Sequence, residues 1–591
     1  MKKLFLVAIS LLPLSSFSQL LRNASFENMA KDRYLKYWVV EPAGNNGSVH
    51  ADSSTAHLGK YSIKVSLQHS SGADTLAYAF NTINTSRLPP IKRIVVKAWV
   101  KLDRLTDPDA FILLNDEDRR LTSRSFANRH TKDWGKWQQL FLFKELDRPQ
   151  KIYQINIAAC VRKGRAWFDD FSVSVDGVDI SKKGKTTFSN QNRQWITHHL
   201  ISAVQQGDIF FSKLDKIIGD RYLLGVGEPT HGTKEAYAFK IELFKNLVLQ
   251  HHYRIIALEN GMAETYKINQ YINADPSGTW TRKDLKKYLN SFLCTSELLD
   301  LIEWMRSYNQ IHNDKISCIG MDVQTYEQCL LNIKDLLREI GQASYINRVE
   351  EIDCAIHNLV SQRFDDTEQR QTILKMVDIL SSSCQTDLAQ YARQSDSMMW
   401  LVQHFELLRD YLLEDKARWD SYSRRTQFMY DNLLWFFKNQ KIEKTLIWAH
   451  NGHINKLDGA QSVFQRQESL GRLLKAGFGD DYYCIGIYTG SGTYSALRSE
   501  TDSRLQIFPL EDPGNTTVEH FLSLVKPCAY FLDLSGASRS EMPAFLTQEM
   551  LQRACGMFYN QNQFYDIGAV SELYDGIYFI QKSTNTNRIK N

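Results

Sequence analysis

The chain has 591 residues, of which 43% are hydrophobic and 23% charged, a composition typical of a folded globular protein. This length exceeds what one hydrophobic core accommodates, so we expect several structural units. The 71 basic and 67 acidic side chains leave a net charge of +4, and Lys and Arg form no concentrated stripe. This balance argues against a nucleic-acid-binding protein, and no nucleic-acid partner is expected.

Residues 1–18 have the pattern of a secretory signal peptide. Lys2 and Lys3 precede an apolar stretch, Leu4–Leu14, that is too short to span a bilayer. Ser16 and Ser18 are small residues suited to a cleavage site. We therefore expect a secreted or periplasmic protein, and no later segment is long and apolar enough to predict a membrane span.

Residues 19–178 predict an all-β module, a sandwich or jelly roll. Short runs rich in β-branched and aromatic residues are separated there by clusters of Gly, Pro, Asn or Asp. The predicted strands are Tyr61–Gln68, Arg93–Asp103, Ala110–Asn115, Trp137–Glu145, Tyr153–Arg162 and Trp167–Val175.

Two phrases bracket this module, Asn23–Glu27 (NASFE) and Trp167–Phe171 (WFDDF). They resemble the phrases that open and close galactose-binding-like carbohydrate-binding modules. The resemblance implies a glycan partner bound on exposed aromatic side chains. Large aromatics are usually buried, however, so the favoured interpretation makes Trp38, Trp137 and Trp167 core residues. The module would then serve as a spacer.

Residues 179–193 are polar and lysine-bearing and predict a linker, after which a second unit spans residues 194–591. Apolar strands alternate there with helical stretches such as Thr233–His252, which predicts an α/β fold. Its sheet is expected to be mostly parallel, with helices on both faces. The predicted strands are Tyr222–Gly227, Arg254–Leu258, Lys315–Met321, Lys444–Ala449, Tyr482–Tyr488, Ala529–Leu534 and Gly576–Gln581.

A helical insertion is predicted at about residues 325–440, between two strands of this sheet. Residues 342–451 contain neither Gly nor Pro, and their apolar residues recur at helical spacing. The insertion is either a lid over a site or a bundle that extends the core.

Polar residues follow four of the predicted strands, at the edge where open α/β sheets bind ligands. Glu228 and His231 follow the first strand, Glu259 the second, Asp322 the third, and His450 with His453 the fourth. Each residue alone has an ordinary structural explanation, such as a helix cap or a solvated acid. Their convergence at one sheet edge favours a catalytic site.

Two of these segments resemble the signature of the erythromycin esterase family. They are Gly225–Glu235 (GVGEPTHGTKE) and Trp448–His453 (WAHNGH), and the strand ending Ala257-Leu-Glu259 matches in the same order. The resemblance covers roughly residues 195–585. It implies that His231 is the general base that activates water, supported by Glu228 and Glu259, with His450 and His453 completing the catalytic set.

One departure from the family pattern concerns substrate positioning. Members often carry Arg nine residues beyond the catalytic His, where this chain has Lys240. Lysine keeps the charge but loses bidentate geometry. Lys240 and Asp322 are interpreted as substrate-binding residues. The family resemblance suggests a carboxylic ester or lactone substrate, such as a macrolide, and requires no cofactor.

The residue chemistry agrees with hydrolysis by a histidine base. No Gly-x-Ser-x-Gly segment occurs, which argues against a serine triad of the α/β-hydrolase kind. Two alternatives stay open. Glu228/His231 and His450/His453 are each three residues apart, a spacing also found among metal ligands, so a metal-dependent hydrolase is possible. The same residues also suit a non-catalytic protein that binds a metal, haem or glycan.

Overall fold

The computed structural model contains an all-β unit followed by a mixed α/β unit, in agreement with the sequence. The two units have separate hydrophobic cores. The predicted signal peptide lies outside the described residues. The described residues are 21, 23–27, 37–43, 46–68, 75–85, 88, 90–116, 121–127, 135–176, 178–181, 188–203, 207–218, 220–274, 280–361, 367–388, 396–413, 421–440, 443–456, 469–498, 502, 504–510, 513, 517–548, 550–559 and 565–587.

The N-terminal unit is built from antiparallel strands that form two sheets. Its strands are β1 (Val39–Glu41), β2 (Gly47–Asp52), β3 (Ser62–Leu67), β4 (Ala77–Asn84), β5 (Ile91–Leu102), β6 (Asp109–Asp116), β7 (Ser123–Phe126), β8 (Trp137–Gln150), β9 (Gln154–Val175) and β10 (Val178–Asp179). The first half of β9 pairs with β4 and β6, and its second half pairs with β3 and β5.

The long strand β9 replaces two strands that the sequence predicts separately. Gly164 lies where β9 passes from one sheet to the other, with φ of 77°. A Cβ atom there would lie 2.6 Å from the Thr106 carbonyl oxygen, so glycine permits both the conformation and the close approach. The strand therefore bends at Gly164 instead of ending.

The two bracketing phrases of the sequence contact each other in the β unit. The Phe171 N–H donates to the Ala24 carbonyl oxygen at 2.9 Å. The centroid of the Trp38 ring lies 4.9 Å from that of Phe26 and 5.0 Å from that of Phe171. Trp38 is buried, whereas Trp137 and Trp167 are only half-buried. The core interpretation is confirmed for Trp38 and is wrong for the other two.

The second unit alternates strands and helices. Its elements are α1 (Asn190–His199), β11 (Leu200–Ser202), α2 (Asp208–Ile218), β12 (Leu223–Val226), α3 (Lys234–His251), β13 (Tyr253–Gly261), α4 (Met262–Asn273), α5 (Ser296–Ile311), β14 (Ser317–Asp322), α6 (Glu327–Glu339), α7 (Ile346–Ser361), α8 (Thr367–Leu388), α9 (Asp396–Leu413), α10 (Ser421–Asn439), β15 (Lys444–Trp448), α11 (Asn451–Ile454), α12 (Leu470–Phe478), β16 (Tyr482–Ala496), β17 (Gln506–Leu510), α13 (Val518–Ser523), β18 (Ala529–Asp533), α14 (Ala544–Thr547), β19 (Met550–Arg553), β20 (Tyr565–Gly568), α15 (Val570–Leu573) and β21 (Gly576–Ser583).

The large sheet of this unit is mixed. Its order is β11-β18-β21-β16-β12-β15-β13-β14, with β17 paired to β16. The six strands from β21 to β14 run parallel to their neighbours. The strands β11, β18 and β17 pair in antiparallel fashion. The sheet is therefore mixed, with a parallel core of six strands to which antiparallel strands are added.

Helices cover both faces of the sheet because neighbouring strand residues point in opposite directions. Ile256 and Leu258 of β13 pack in a cluster with residues of α3 and α5. Ile255 and Ala257 pack in another cluster with α10 and α12. Each fully buried aliphatic side chain contributes about 1.5–3 kcal/mol. Both sheet faces are thus closed to solvent, which leaves the strand ends for a site.

The helices α6 to α10 occupy the stretch predicted as a helical insertion. Their apolar side chains form a cluster of their own around residues such as Ile333, Ile356 and Leu408. The last helix, α10, also packs on the sheet through Met429 and Leu433. Among the helices of the described residues, none is long and apolar enough to cross a membrane.

Candidate active site

Four neighbouring parallel strands carry the polar residues that the sequence singled out. The strands β12, β15, β13 and β14 lie side by side in that order. Glu228 follows β12, His450 follows β15, Glu259 lies near the end of β13, and Asp322 ends β14. Because the strands are parallel, their carboxyl ends share one edge of the sheet, where such folds bind ligands.

His231 is held against Glu228 by a tight turn after β12. The distance from His231 Nδ1 to Glu228 Oε1 is 2.6 Å. The turn packs closely on β16, where the Ser495 N–H donates to the Gly232 carbonyl oxygen at 3.1 Å. A Cβ atom on Gly232 would lie 2.0 Å from the Ser495 carbonyl oxygen. Glycine at this position is therefore required for the turn that presents His231.

The other oxygen of Glu228 faces a buried cation. Lys240 Nζ on α3 lies 2.5 Å from Glu228 Oε2, and Trp448 Nε1 donates to the same oxygen at 3.1 Å. The ammonium also lies 4.0 Å from the centroid of the Trp448 ring. Burial alone would raise the pKa of Glu228, but Lys240 and His231 outweigh it and lower the pKa to about 2. Burial lowers the pKa of Lys240 to about 8 against the opposing effect of Glu228.

This arrangement fixes the tautomer of His231. Because Glu228 is ionised, it accepts a hydrogen bond from the Nδ1–H of His231, which leaves the Nε2 lone pair as the basic site. Burial would lower the pKa of His231, but the Glu228 hydrogen bond and the negative charges of Glu259 and Glu228 raise it above the usual value. The side chain keeps 9% of its surface exposed. His231 is thus an oriented imidazole with increased basicity.

Glu259 receives three donors from two other parts of the chain. The His450 backbone N–H donates to Oε2 at 2.9 Å. His453 Nε2 and Arg425 Nη2 each lie 3.2 Å from Oε1. Glu259 lies in the stretch of β13 where the pairing with β14 shifts register, between Leu258 and Gly261. Burial would raise the pKa of Glu259, but His453, His231 and Arg425 hold it well below its usual range.

Asp322 orients the guanidinium of Arg425. Arg425 Nε lies 3.0 Å from Oδ1 and Nη2 lies 2.5 Å from Oδ2 of Asp322. The Val323 N–H and Gln324 Nε2 also donate to this carboxylate, at 2.9 and 2.7 Å. Asp322 is fully buried. It contacts protein donors on several sides, and its predicted contact with a substrate stays a prediction.

His450 presents an unpaired buried nitrogen next to His231. The Gly452 N–H donates to His450 Nδ1 at 3.2 Å, which identifies Nδ1 as the acceptor and places the proton on Nε2. Nε2 is buried and has no hydrogen-bond partner among the described residues. Burial and the nearby charge of His231 lower the pKa of His450 to about 4, so the ring is neutral. The centroids of the His231 and His450 rings are 5.2 Å apart.

Two asparagines fix the loops around these histidines. Asn451 joins the loops after β15 and β12, since its N–H donates to the Glu228 carbonyl oxygen at 3.1 Å. Asn260 accepts the Asn290 N–H at 2.9 Å and so holds the loop before α5. That loop stacks the Phe292 ring on His231, with 4.2 Å between the ring centroids and 24° between the ring planes. Phe292 therefore forms an apolar wall on one side of the base.

A metal ion fits this donor set poorly. Glu228 and Glu259 already accept from cations and imidazoles, and His231 Nδ1 and His453 Nε2 face carboxylates at 2.6 and 3.2 Å. Within the part of the chain that the structure describes, no group of three or more His, Cys, Asp or Glu side chains is arranged to hold a metal ion. Three of the four residues that this alternative requires as ligands, Glu228, His231 and His453, therefore already contact a carboxylate or a cation.

The structure brings all seven predicted site residues together at one sheet edge, and their roles stay predictions. Lys240 contacts Glu228, so its observed partner is a carboxylate of the site. Sequence reasoning missed several residues that contact this set: Phe292, Arg425, Trp448 and Asn451. Trp448 and Asn451 lie inside the quoted WAHNGH segment. Arg425 lies four residues before Met429, on the helix face that packs on the sheet. A charged residue within the apolar stripe of a helix was the signal in the sequence that could have identified it.

Comparison with known proteins decides the relationship of the second unit. The model of the erythromycin esterase family matches residues 248–583, more than half of the chain. The chain belongs to the erythromycin esterase family. An erythromycin esterase type II from Escherichia coli is 25% identical over 344 residues, which cover 53% of this chain and 80% of that protein. The family and this relative indicate a hydrolase.

Solved structures agree with the family fold. A Bacillus cereus protein covers 68% of this chain and 100% of its own length, with a TM-score of 0.59 and 22% identity. A mutant of the erythromycin esterase EreC in its open conformation covers 66% of this chain and 99% of its own, with a TM-score of 0.52 and 15% identity. At these identities the likeness establishes the fold alone.

The N-terminal unit resembles carbohydrate-binding modules. One of them, TmCBM61 in complex with β-1,4-galactotriose, is 18% identical and covers 27% of this chain and 99% of its own, with a TM-score of 0.20. The family match confirms the resemblance found in the sequence for the second unit. The TM-score is too low to support an argument about the ligand of this module.

Proposed function

We propose that this site hydrolyses a carboxylic ester or lactone with water activated by His231. The observation that supports this most directly is the pairing of His231 Nδ1 with an ionised Glu228 at 2.6 Å. It leaves Nε2 as a base of increased strength beside the neutral N–H of His450. General-base catalysis by a positioned histidine contributes about 100- to 10,000-fold.

The proposed reaction has two steps. In the first, His231 Nε2 takes a proton from water while the oxygen attacks the acyl carbon, and the carbonyl oxygen becomes an oxyanion. The Nε2–H of His450, which has no partner among the described residues, is the donor that would stabilise this charge. In the second, the bond from carbon to the alcohol oxygen breaks, and His231 returns its proton to that oxygen. The products are a carboxylic acid and an alcohol.

The carboxylates would serve as fixed charges and not as proton carriers. The pKa of Glu228 is about 2 and that of Glu259 lies well below the usual range, so both stay ionised at neutral pH. Glu228 would orient His231 and stabilise its imidazolium, as the acid of a serine-protease triad does for its histidine. Glu259 would hold the turn that carries His450 and His453.

The test is hydrolysis of a panel of aryl esters and macrolides by the wild type and His231→Ala, with and without a chelator. Loss of about 100- to 10,000-fold in the variant, with activity resistant to the chelator, supports the proposal. His357→Ala, at an exposed position on α7, is the matched control and should retain activity. Activity abolished by the chelator would establish a metal-dependent hydrolase. A wild type that hydrolyses none of the panel, with only ligand affinity changed in the variant, would favour a binding protein.

A glycan partner is proposed for the β unit from a row of side chains across one of its sheets. Strand register aligns Lys64 of β3, Trp167 of β9, Lys101 of β5 and Trp137 of β8. The Trp167 ring has an ammonium on each side, 5.5 Å away for Lys64 and 6.0 Å for Lys101. Half-buried indoles provide flat surfaces for sugar rings, and the lysines favour a glycan with acidic groups.

Binding to polysaccharides tests this proposal. The full-length protein should be retained by an acidic polysaccharide more strongly than by a neutral one, and Trp137→Ala should lose retention. Phe126→Ala is the control because Phe126 is 48% exposed on a strand of the other sheet. No retention by either polysaccharide, or equal loss in both variants, would contradict a glycan role for this row.

We also propose secretion or export to the periplasm, on the pattern of residues 1–18. Cell fractionation of a producing strain checks this. Full-length protein that keeps residues 1–18 and stays in the cytoplasm would contradict it.

A further inference from the structure

The helical insertion contributes one charged side chain to the proposed site. Arg425 lies in α10 and joins two carboxylates from different strands, Asp322 of β14 and Glu259 of β13. Asp322 is fully buried, and Glu259 and Arg425 have 5% and 19% of their side-chain surface exposed. Both acids are therefore shielded from water, and the guanidinium neutralises much of their combined charge.

We infer that Arg425 is a positioning residue of the reaction, so that the site is competent only while α10 of the helical insertion is docked. This inference rests on the proposed hydrolysis at the same site. Asp322 orients the guanidinium, the guanidinium fixes Glu259, and Glu259 holds the backbone N–H of His450 and the ring of His453. Arg425 thus acts on the two histidines through Glu259, without itself touching the reacting atoms.

The geometry requires arginine at this position. One guanidinium reaches Asp322 with Nε and Nη2, at 3.0 Å from Oδ1 and 2.5 Å from Oδ2, and reaches Glu259 with Nη2 at 3.2 Å. An ammonium is a single point of charge and has no planar fork with which to match a carboxylate while reaching a second one. Replacement of Arg425 by lysine is therefore expected to keep the positive charge but to lose the alignment of Glu259.

Docking of α10 has a second anchor that does not involve Arg425. Asn432 Nδ2 donates to the Met321 carbonyl oxygen at 3.0 Å, and Gln403 Nε2 of α9 donates to Asn432 Oδ1 at 3.0 Å. Met429 and Leu433 add apolar packing on the sheet. The helix is thus expected to remain in place when Arg425 is replaced, which separates positioning from folding.

Loss of the guanidinium has a defined consequence for the pH profile. The charged groups that act on His231 are Glu228, Glu259 and Lys240, and Arg425 with His453 balances Glu259. Without Arg425, Glu259 is less compensated, and its field raises the pKa of His231 further. The base is then protonated up to a higher pH, so the acid limb of kcat/KM should move to higher pH.

The experiment compares Arg425→Lys and Arg425→Met with Arg424→Met. Arg424 is on the same helix, and its Nη1 donates to the Leu413 carbonyl oxygen at 2.9 Å, away from the site. We expect kcat to fall about 100-fold in Arg425→Met, as for a small misplacement of catalytic groups, with KM nearly unchanged. Arg425→Lys should fall about tenfold, because it restores charge without geometry. Added guanidinium should recover part of the activity of Arg425→Met.

A readout independent of turnover keeps this inference separate from the proposed function. Titration of the ¹⁵N-labelled histidine rings by NMR should show altered titration of His231 in Arg425→Met and wild-type behaviour in Arg424→Met. If no ester is hydrolysed by any form but the ring titration changes, the hydrolase proposal fails and the positioning role stands. Unchanged titration, or a loss of kcat that follows thermal unfolding equally in both Met variants, would overturn the positioning role.

Discussion

The two buried glutamates of the site are both ionised, yet the partners that stabilise their charges come from different distances along the chain. Glu228 and its imidazole are three residues apart in one turn, and the balancing cation comes from the next helix. Glu259 takes its partners from α10 and from the loop after β15, 166 and 191 residues away. The contrast shows that local sequence determines the base, whereas distant segments determine the surroundings in which it works.

The two carboxylates also bind different parts of their histidines. Glu228 accepts from the ring of His231, which the proposed mechanism uses directly. Glu259 accepts from the backbone of His450 and from the ring of His453. Changes at Glu228 should therefore alter proton transfer itself, and changes at Glu259 should alter geometry. The predictions below test this division.

The largest effect is expected for Glu228→Gln. The amide cannot stabilise the imidazolium of His231, and by analogy with the buried acid of a serine triad kcat should fall about 1,000- to 10,000-fold. Glu228 raises the pKa of His231, so wild-type activity is lost as pH falls through a value above 6.5. In the variant the acid limb should move to lower pH, which a pH–rate profile measures.

The control for this substitution is Glu242→Gln, on the same helix as Lys240 and half-exposed. It should leave both kcat and the acid limb unchanged. Circular dichroism should show equal folding of the three proteins at the assay temperature. An acid limb that stays in place in Glu228→Gln would contradict the pairing of this carboxylate with the base.

A smaller effect is expected for Glu259→Gln, about 10- to 100-fold in kcat. The amide oxygen that replaces the carboxylate can still accept one hydrogen bond. The loop after β15 should therefore shift but stay attached to the end of β13. The half-buried Arg425 keeps Asp322 as its partner, so the free energy of unfolding should be only about 1–3 kcal/mol lower than in the wild type. Steady-state kinetics and denaturant titration measure both quantities. A loss larger than that of Glu228→Gln would reverse the proposed division of roles.

The smallest effect is expected for Lys240→Arg. Burial lowers the pKa of Lys240 to about 8, so in the wild type its charge on Glu228 is lost as pH rises through that value. Arginine stays charged at every working pH. At neutral pH the variant should have the activity of the wild type within about threefold. Above the pKa of Lys240 the activity of the wild type should decline, and that of the variant should not. A decline that persists in the variant would assign it to another group.

Much of the fold follows from the sequence because its strands are apolar and well bounded. All seven strands predicted for the second unit are present, as β12 to β16, β18 and β21. The short antiparallel strands such as β11 and β17 were missed, since three to five residues carry little periodicity. The break predicted within β9 is absent, because Gly164 bends the strand without ending its pairing.

The site was predictable as far as its residues follow strands. Glu228, Glu259, Asp322 and His450 were placed correctly at one edge because parallel strands share the direction of their ends. Arg425 was not predicted, since nothing local relates a helical residue to carboxylates more than 100 positions earlier. The half-buried Trp137 and Trp167 were misassigned to the core, because hydrophobicity does not show which face of a sheet lacks a cover.

The order of the strands has a consequence for how the chain folds. β15 lies between β12 and β13, although it follows them in the chain by the whole length of the helical insertion. Until residue 448 has left the ribosome, β12 and β13 have no strand between them and present unpaired edges, which favour aggregation. Such non-local pairing also slows folding. Nascent chains that stop before β15 should therefore be the species that chaperones bind most.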